Sequence, residues 1–274
     1  TTLFRSAMDY TQKIGKNAYL TVRGNMTFNK DKIIENDQPP VDYPWMETRG
    51  TNVNAIWGYI ADGLFTSQDE IDDHAKQFGT VHVGDIKYRD LNDDGVIDDY
   101  DKTVIGRGDV PRIYYGFGAD LQVGNFSISA LFQGNAQADR YLDGISIKPF
   151  WDDEGRDNVF ANITDRWSAD NPTNQDVFYP RLSVGSDGNN NNVKPSSWWV
   201  KDVSFLRLKQ VNISYTLPKK WTDPLLIKNA QIYLMGTNLL TFSKFKLWDP
   251  ELNTSNGTAY PNVSSYSIGL KFNF

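Results

Sequence analysis

Along SSYSIGLKFNF, residues 264 to 274, hydrophobic and polar positions alternate without a break: Tyr266, Ile268, Leu270, Phe272 and Phe274 share one parity, and Ser265, Ser267, Gly269, Lys271 and Asn273 the other. Successive side chains of a strand point to opposite faces, so this spacing predicts a strand with one apolar and one polar face. The pattern recurs. In RIYYGFGADLQV the residues Ile113, Tyr115, Phe117, Ala119, Leu121 and Val123 oppose Arg112, Tyr114, Gly116, Gly118, Asp120 and Gln122. After the turn signal Gly124-Asn125, Phe126, Ile128, Ala130 and Phe132 take the apolar parity, so residues 112 to 133 read as a hairpin. An earlier hairpin is predicted around Lys16-Asn17, with Leu20, Val22, Met26 and Phe28 alternating against Thr21, Arg23, Asn25 and Thr27.

In SFLRLKQVNISYTL the apolar parity changes hand between Leu206 and Leu208 on one side and Val211, Ile213 and Tyr215 on the other. Only an inserted residue does that within a strand, which predicts a β-bulge near Lys209-Gln210. Residues 230 to 241 form a further strand of indistinct facing. With Leu3 to Tyr10 as the opening strand, seven crossings fit the chain.

Their connections are unequal. Those at 14–17 and 124–125 are tight and 218–229 is moderate, whereas 34–111, 134–197 and 242–262 are long. Tight and long connections that alternate along the chain are expected of a transmembrane antiparallel β-barrel, with short periplasmic turns and long extracellular loops. A soluble sandwich with one wet face is the competing reading of any single strand. Trp198, Trp199, Tyr215, Phe272 and Phe274 fall near predicted strand ends, where a barrel places its aromatic belts.

Composition narrows the field. Mean hydropathy is -0.52 and no apolar run reaches the roughly 18 residues of a membrane helix, which leaves strands as the means of crossing a bilayer. A net charge of -6 and a pI near 5.0 speak against nucleic-acid binding, since a phosphate backbone calls for clustered Lys and Arg. The 274 residues include no cysteine, which removes disulfides, thiolate metal sites and Cys nucleophiles. The start, TTLFRSAMDY, carries neither Met nor a signal-peptide pattern, so we expect a chain cut from something larger or processed.

One stretch suggests metal chemistry. DLNDDGVIDDYD places Asp90, Asn92 and Asp94 at positions 1, 3 and 5 of an EF-hand-like loop, with Gly95 at the sharp turn, the Val96 carbonyl at 7, Asp98 at 9 and Asp101 at 12. Alternate oxygen donors converge as such a loop curls, which suits calcium in a structural role; a solvated acidic turn is the plainer alternative. Trp151, Asp152 and Asp153, in WDDEGRDN, offer an aromatic platform and carboxylates to a sugar, or a polar loop lip. His74 and His82 read as exposed loop residues, Arg107-Gly108-Asp109 as a chance tripeptide, and the Asn run 189–192 as a flexible loop tip. No nucleophile–base pair or metal triad points to an enzyme.

Several segments together resemble the SusC/RagA family of TonB-dependent outer-membrane transporters: FGTVHVGDIKYRDLNDDGVIDDYDKTVIG, VPRIYYGFG, FQG at 132–134, YPRLS, SSWWVKDVSFLRLKQVNISYTLPK, GTNLLTFSKFKLWDPEL and the terminal Phe274. They run from about Trp57 to Phe274 in the family's order. The resemblance implies the C-terminal part, about seven strands, of a plugged barrel of about 22 strands. It also implies import of oligosaccharides or peptides, a SusD-like surface lipoprotein as lid, and energy from the TonB complex through an N-terminal part that this chain lacks. On this reading the edges Leu3–Tyr10 and Ser265–Phe274 are open and pair with absent strands, and the chain sits in the outer membrane of a Gram-negative bacterium, in contact with the lipid bilayer. The alternative is a secreted, calcium-stabilised glycan-binding β-protein with a dockerin-like loop.

Overall fold

The computed structural model describes residues 1–150, 159–184 and 190–274. Its main element is a seven-stranded antiparallel sheet built from β1 (Thr2–Gly15), β2 (Ala18–Lys30), β7 (Ile113–Val123), β8 (Phe126–Ala136), β11 (Phe205–Thr216), β12 (Asn229–Ser243) and β13 (Ser265–Asn273), in that spatial order. These are the seven strands expected from alternation. The sheet is open, with β1 and β13 as edges, and no closed barrel forms within these residues. Six shorter strands pair two by two in the connections: β3 (Ile56–Gly58) with β6 (Thr103–Gly106), β4 (Ala61–Leu64) with β5 (Ile86–Tyr88), and β9 (Asp139–Tyr141) with β10 (Val200–Asp202).

Sequential strands of the sheet are spatial neighbours and antiparallel, so β2–β7, β8–β11 and β12–β13, the long connections, all leave one end. The other end holds the short ones. Between Val123 and Phe126 only two residues turn the chain, with Gly124 at φ +55°, a conformation that favours glycine in tight hairpins.

Near the middle of β11 the ladder changes register. From one side of the irregularity to the other β8 advances one residue (Phe132 to Leu131), β11 two (Leu208 to Gln210) and β12 three (Leu240 to Thr237). Lys209 is the inserted residue of β11, at the predicted bulge. β12 takes its own surplus with Asn238 at φ 52°. This explains the indistinct pattern of 230–241: the insertion lets Leu239 lie over Gly236, where an added Cβ would meet its methyl at 2.8 Å.

Register joins the apolar positions into one surface. Leu20, Leu121, Ile128, Ile213, Leu234 and Ile268 are successive partners across six strands, and Val22, Ala119, Ala130, Val211, Gly236 and Tyr266 form the next row. Much of this face has no protein against it: Tyr266 and Ile268 are 78% and 76% exposed. Phe117 and Phe132 stack on it at 5.1 Å. The opposite parity is polar and bonded across strands. Thr11 and Thr21 hydroxyls pair at 2.9 Å, Arg23 bonds Asp120, and Gln231 donates to Ser214 Oγ at 3.1 Å.

The buried core lies elsewhere, among the long connections. Tyr59, Leu64, Ile86, Tyr88, Leu142, Ile147, Tyr179 and Trp199 belong to one cluster there. Two expectations are corrected by it. Trp199 is buried in this cluster with Nε1 donating to Asn192 O at 2.8 Å, and half-buried Trp198 donates to Phe178 O at 2.9 Å, so neither belongs to a belt at a strand end. An indole whose N–H finds a backbone acceptor packs well inside a loop core. Of the Asn run, Asn189 lies outside the described residues and Asn190 is exposed, whereas Asn191 and Asn192 are each 3% exposed rather than parts of a flexible tip. Asn191 Nδ2 donates to Ile86 O at 2.7 Å, and Asn192 Oδ1 accepts from Ile86 N at 2.9 Å, so the pair completes the free side of β5. Asparagine serves there because one side chain both donates and accepts.

Candidate functional site

The loop Asp90–Asp101 projects from the connection that follows β5 and closes through short-range hydrogen bonds. Gly95, at φ +84°, donates its amide to Asp90 Oδ2 at 2.8 Å, and Val96 N donates to Asp94 Oδ1 at 2.9 Å. At its far end Asp98 and Asp101 form a reciprocal capping box over a short 3-10 turn, and Leu91 N donates to Asp101 Oδ1 at 2.7 Å. Ile97 enters the core while its amide donates to Lys76 O at 2.8 Å, which ties the loop to the strand-like segment before it.

Its donors are drawn together in sequence but are engaged by amides in space. Among the described residues no group of three acidic or histidine side chains is gathered to hold a metal ion. Two features fit a cation nonetheless. Asp90 Oδ1 is buried without a hydrogen-bond partner, and Asp101 is wholly buried, where desolvation pushes its carboxyl up, the backbone amides pull it down, and Asp90 and Asp98 push it further up. Negative charge crowded out of water is what a hard cation relieves.

Around this loop the long connections carry several buried ions that periodicity does not reveal. Asp85, 1% exposed, accepts from Arg181 at 2.8 and 3.0 Å, from Asn192 Nδ2 at 2.8 Å and from His82 N at 2.8 Å. Arg207 projects from β11 on the polar parity and is also 1% exposed; it binds Asp249 at 2.5 Å, Glu251 at 2.8 Å and Thr241 at 3.0 Å, fastening the β12–β13 connection to the sheet. Lys148 donates to Tyr141 Oη, Asp143 Oδ1 and Val193 O at 2.6–2.9 Å, and burial pushes its ammonium down. Each of these charges is paired, as burial demands.

Open space adjoins them. A cleft of about 540 Å³ lies among Asp165, Asp176, Phe178, Lys201, Lys244 and Phe245, and one of about 410 Å³, lined by Lys201 and Trp198, reaches Asp62 and Gln175. A third, of about 490 Å³, is lined by Asp109, Asp139, Arg140 and Asn253.

The remaining predicted positions separate. Trp151, Asp152 and Asp153 lie outside the described residues. His82 is exposed as expected, but His74 is half-buried, its ring edge-on to Phe65 at 5.4 Å and its Nδ1 3.1 Å from Gln77 Nε2. Arg107 is held by Asp139 through Nε at 2.9 Å and Nη2 at 2.8 Å, which gives the tripeptide a structural use. Neither Arg207 nor Asp85 is marked by periodicity or motif, because a charged residue on the polar parity or in a loop looks solvated until the fold covers it.

No family model matches the sequence. It is 33% identical over 237 residues to the TonB-dependent receptor P26 of Formosa agariphila, covering 82% of this chain, and 26% identical over 275 residues to the TonB-dependent receptor P3 of the same organism, covering 91%. The chain spans about a quarter of those relatives, 23% and 26% of their lengths. Among solved structures it is similar to the RagAB peptide importer in its open-open and closed-closed states, each with a TM-score of 0.70 at 20% identity, over 98% and 97% of this chain and 28% of the importer chain. The apolar-faced sheet, the long connections at one end and these relatives together assign the chain to the TonB-dependent receptors, with a fold similar to that of the RagAB importer.

Proposed function

We propose that the chain forms part of the wall and outer cap of an outer-membrane importer of a Gram-negative bacterium, driven by the TonB complex and lidded by a SusD-like surface lipoprotein, with oligosaccharides or peptides as substrates. The observation that carries this reading is the continuous apolar face that seven strands present, much of it with no protein against it. A contiguous apolar surface of that extent is stable against lipid and a liability in water. The secreted glycan-binding alternative would leave it wet. The open edges β1 and β13 fit the same reading, because unpaired strand edges are satisfied by further strands of a closed barrel. That solved relatives are described as a peptide importer supports peptides among the substrates. The relatives are receptors and transporters, which agrees with a role other than catalysis.

Calcium belongs to this proposal as a structural ligand of the loop Asp90–Asp101, supported by the orphaned Asp90 Oδ1. Asp90, Asn92, Asp94, Asp98 and Asp101 side chains and the Val96 carbonyl would hold it, and the ion would neutralise the loop's crowded carboxylates.

The importer reading is tested by separating envelopes of cells that express the full-length protein and measuring substrate uptake with and without TonB. Recovery in the outer-membrane fraction, with uptake abolished in the TonB-deficient strain, is expected; recovery in the soluble fraction contradicts it.

A further inference from the structure

Lys201, which is half-buried, differs from the paired cations of the cap. It sits on β10 in register with Arg140 of β9, and its ammonium lies over the rings of Phe178 at 5.2 Å and Trp198 at 6.0 Å. Among the described residues no hydrogen bond or ion pair reaches it, whereas Arg207, Lys148 and Arg181 all have carboxylate partners. Ring faces attract a cation but satisfy none of its three donors. Burial pushes the Lys201 ammonium down and Asp165 opposes this. The ring of Trp198 is fixed by its bond to Phe178 O, so the aromatic seat is rigid.

Lys201 lines both the 540 Å³ space and the 410 Å³ space. The larger cleft has Lys244 and Lys246 with Asp165, Asp176 and Asp202 on its walls, and the smaller has Asp62. Of these carboxylates, Asp202 already accepts from Ser204 N at 2.8 Å, and Asp62 is engaged by Arg89 at 2.5–3.2 Å. A positive centre with free donors, facing space the size of a small ligand, is completed by an acceptor that brings its own negative charge.

We propose that Lys201 is the anchor of a binding subsite for a carboxylate group carried by a ligand that enters the cap. The ammonium supplies the charge-assisted hydrogen bonds, the Phe178 and Trp198 rings hold it in place, and Lys244 and Lys246 are further donors on a wall they share with Asp165, Asp176 and Asp202. This rests on the importer reading for the ligand's origin, but its test is binding, which is readable without transport.

The full-length receptor in detergent is titrated calorimetrically with matched probes: trigalacturonate against its methyl ester, and triglutamate against triglutamine. In at least one pair the charged member is expected to bind roughly ten-fold more tightly, weakening as salt rises. Lys201→Met should bring that preference within about two-fold, and Lys201→Arg should keep most of it. Which pair shows the preference distinguishes acidic glycans from acidic peptides. Absence of a charge preference in both pairs, or its survival in Lys201→Met, overturns the proposal. Lys201→Gln, which keeps length and polarity, repeats the test if Lys201→Met fails to fold, and the same two outcomes decide it.

Discussion

Asp85 shows how much of the cap depends on single side chains. Its carboxylate gathers Arg181, Asn192 and the His82 amide, and Asn192 in turn holds β5 and the Trp199 indole. Removing one partner of a buried ion pair leaves the other charge short of its compensation at a cost of about 3–5 kcal/mol. Asp85→Ala in the full-length protein is therefore expected to expose the long connections to limited proteolysis while the sheet stays resistant; unchanged cleavage would show that the hub is dispensable. None of this was legible from the residues, because Asp85 lies about a hundred positions before Arg181 and Asn192 and only the closed fold brings them together. Asn191 and Asn192 misled for the same reason: local composition suggested mobility, and long-range hydrogen bonds decided otherwise.

At the level of elements the strands were legible, since a period of two reports a half-exposed strand wherever one face is apolar. Even the bulge at Lys209 followed from parity alone. The matching surplus in β12 did not, because Asn238 and Gly236 interrupt the apolar parity at the place where the register shifts. The short strands β3–β6, β9 and β10 were invisible for want of length: three or four residues carry no periodicity. The loop Asp90–Asp101 was legible as a motif, and its internal bonding was not. Hydrogen–deuterium exchange compares its amides in calcium and in chelator. Residues 91–101 should exchange at least about ten-fold more slowly with calcium, an effect removed by Asp90→Asn with Asp94→Asn. Equal exchange in the two buffers would refute the clasp.

For the whole molecule, the inversion of core and surface is the organising fact. The apolar sheet face is bare, the polar face is cross-linked by hydrogen bonds, and the packed core stands in the connections at one end. A water-soluble sheet buries its apolar face; a barrel wall gives that face to lipid and keeps the polar one for its interior. Lipid contact of alternate residues is thus the central claim, and the chain is suited to testing it because its 274 residues contain no cysteine. Single cysteines placed at 265 to 272 along β13 in the full-length protein, spin-labelled in lipid vesicles, report collisions with oxygen, which concentrates in lipid, and with a water-soluble nickel chelate. Oxygen accessibility is expected to peak at 266, 268, 270 and 272 and nickel accessibility at 265, 267, 269 and 271; a chelate that reaches both parities equally would contradict the account.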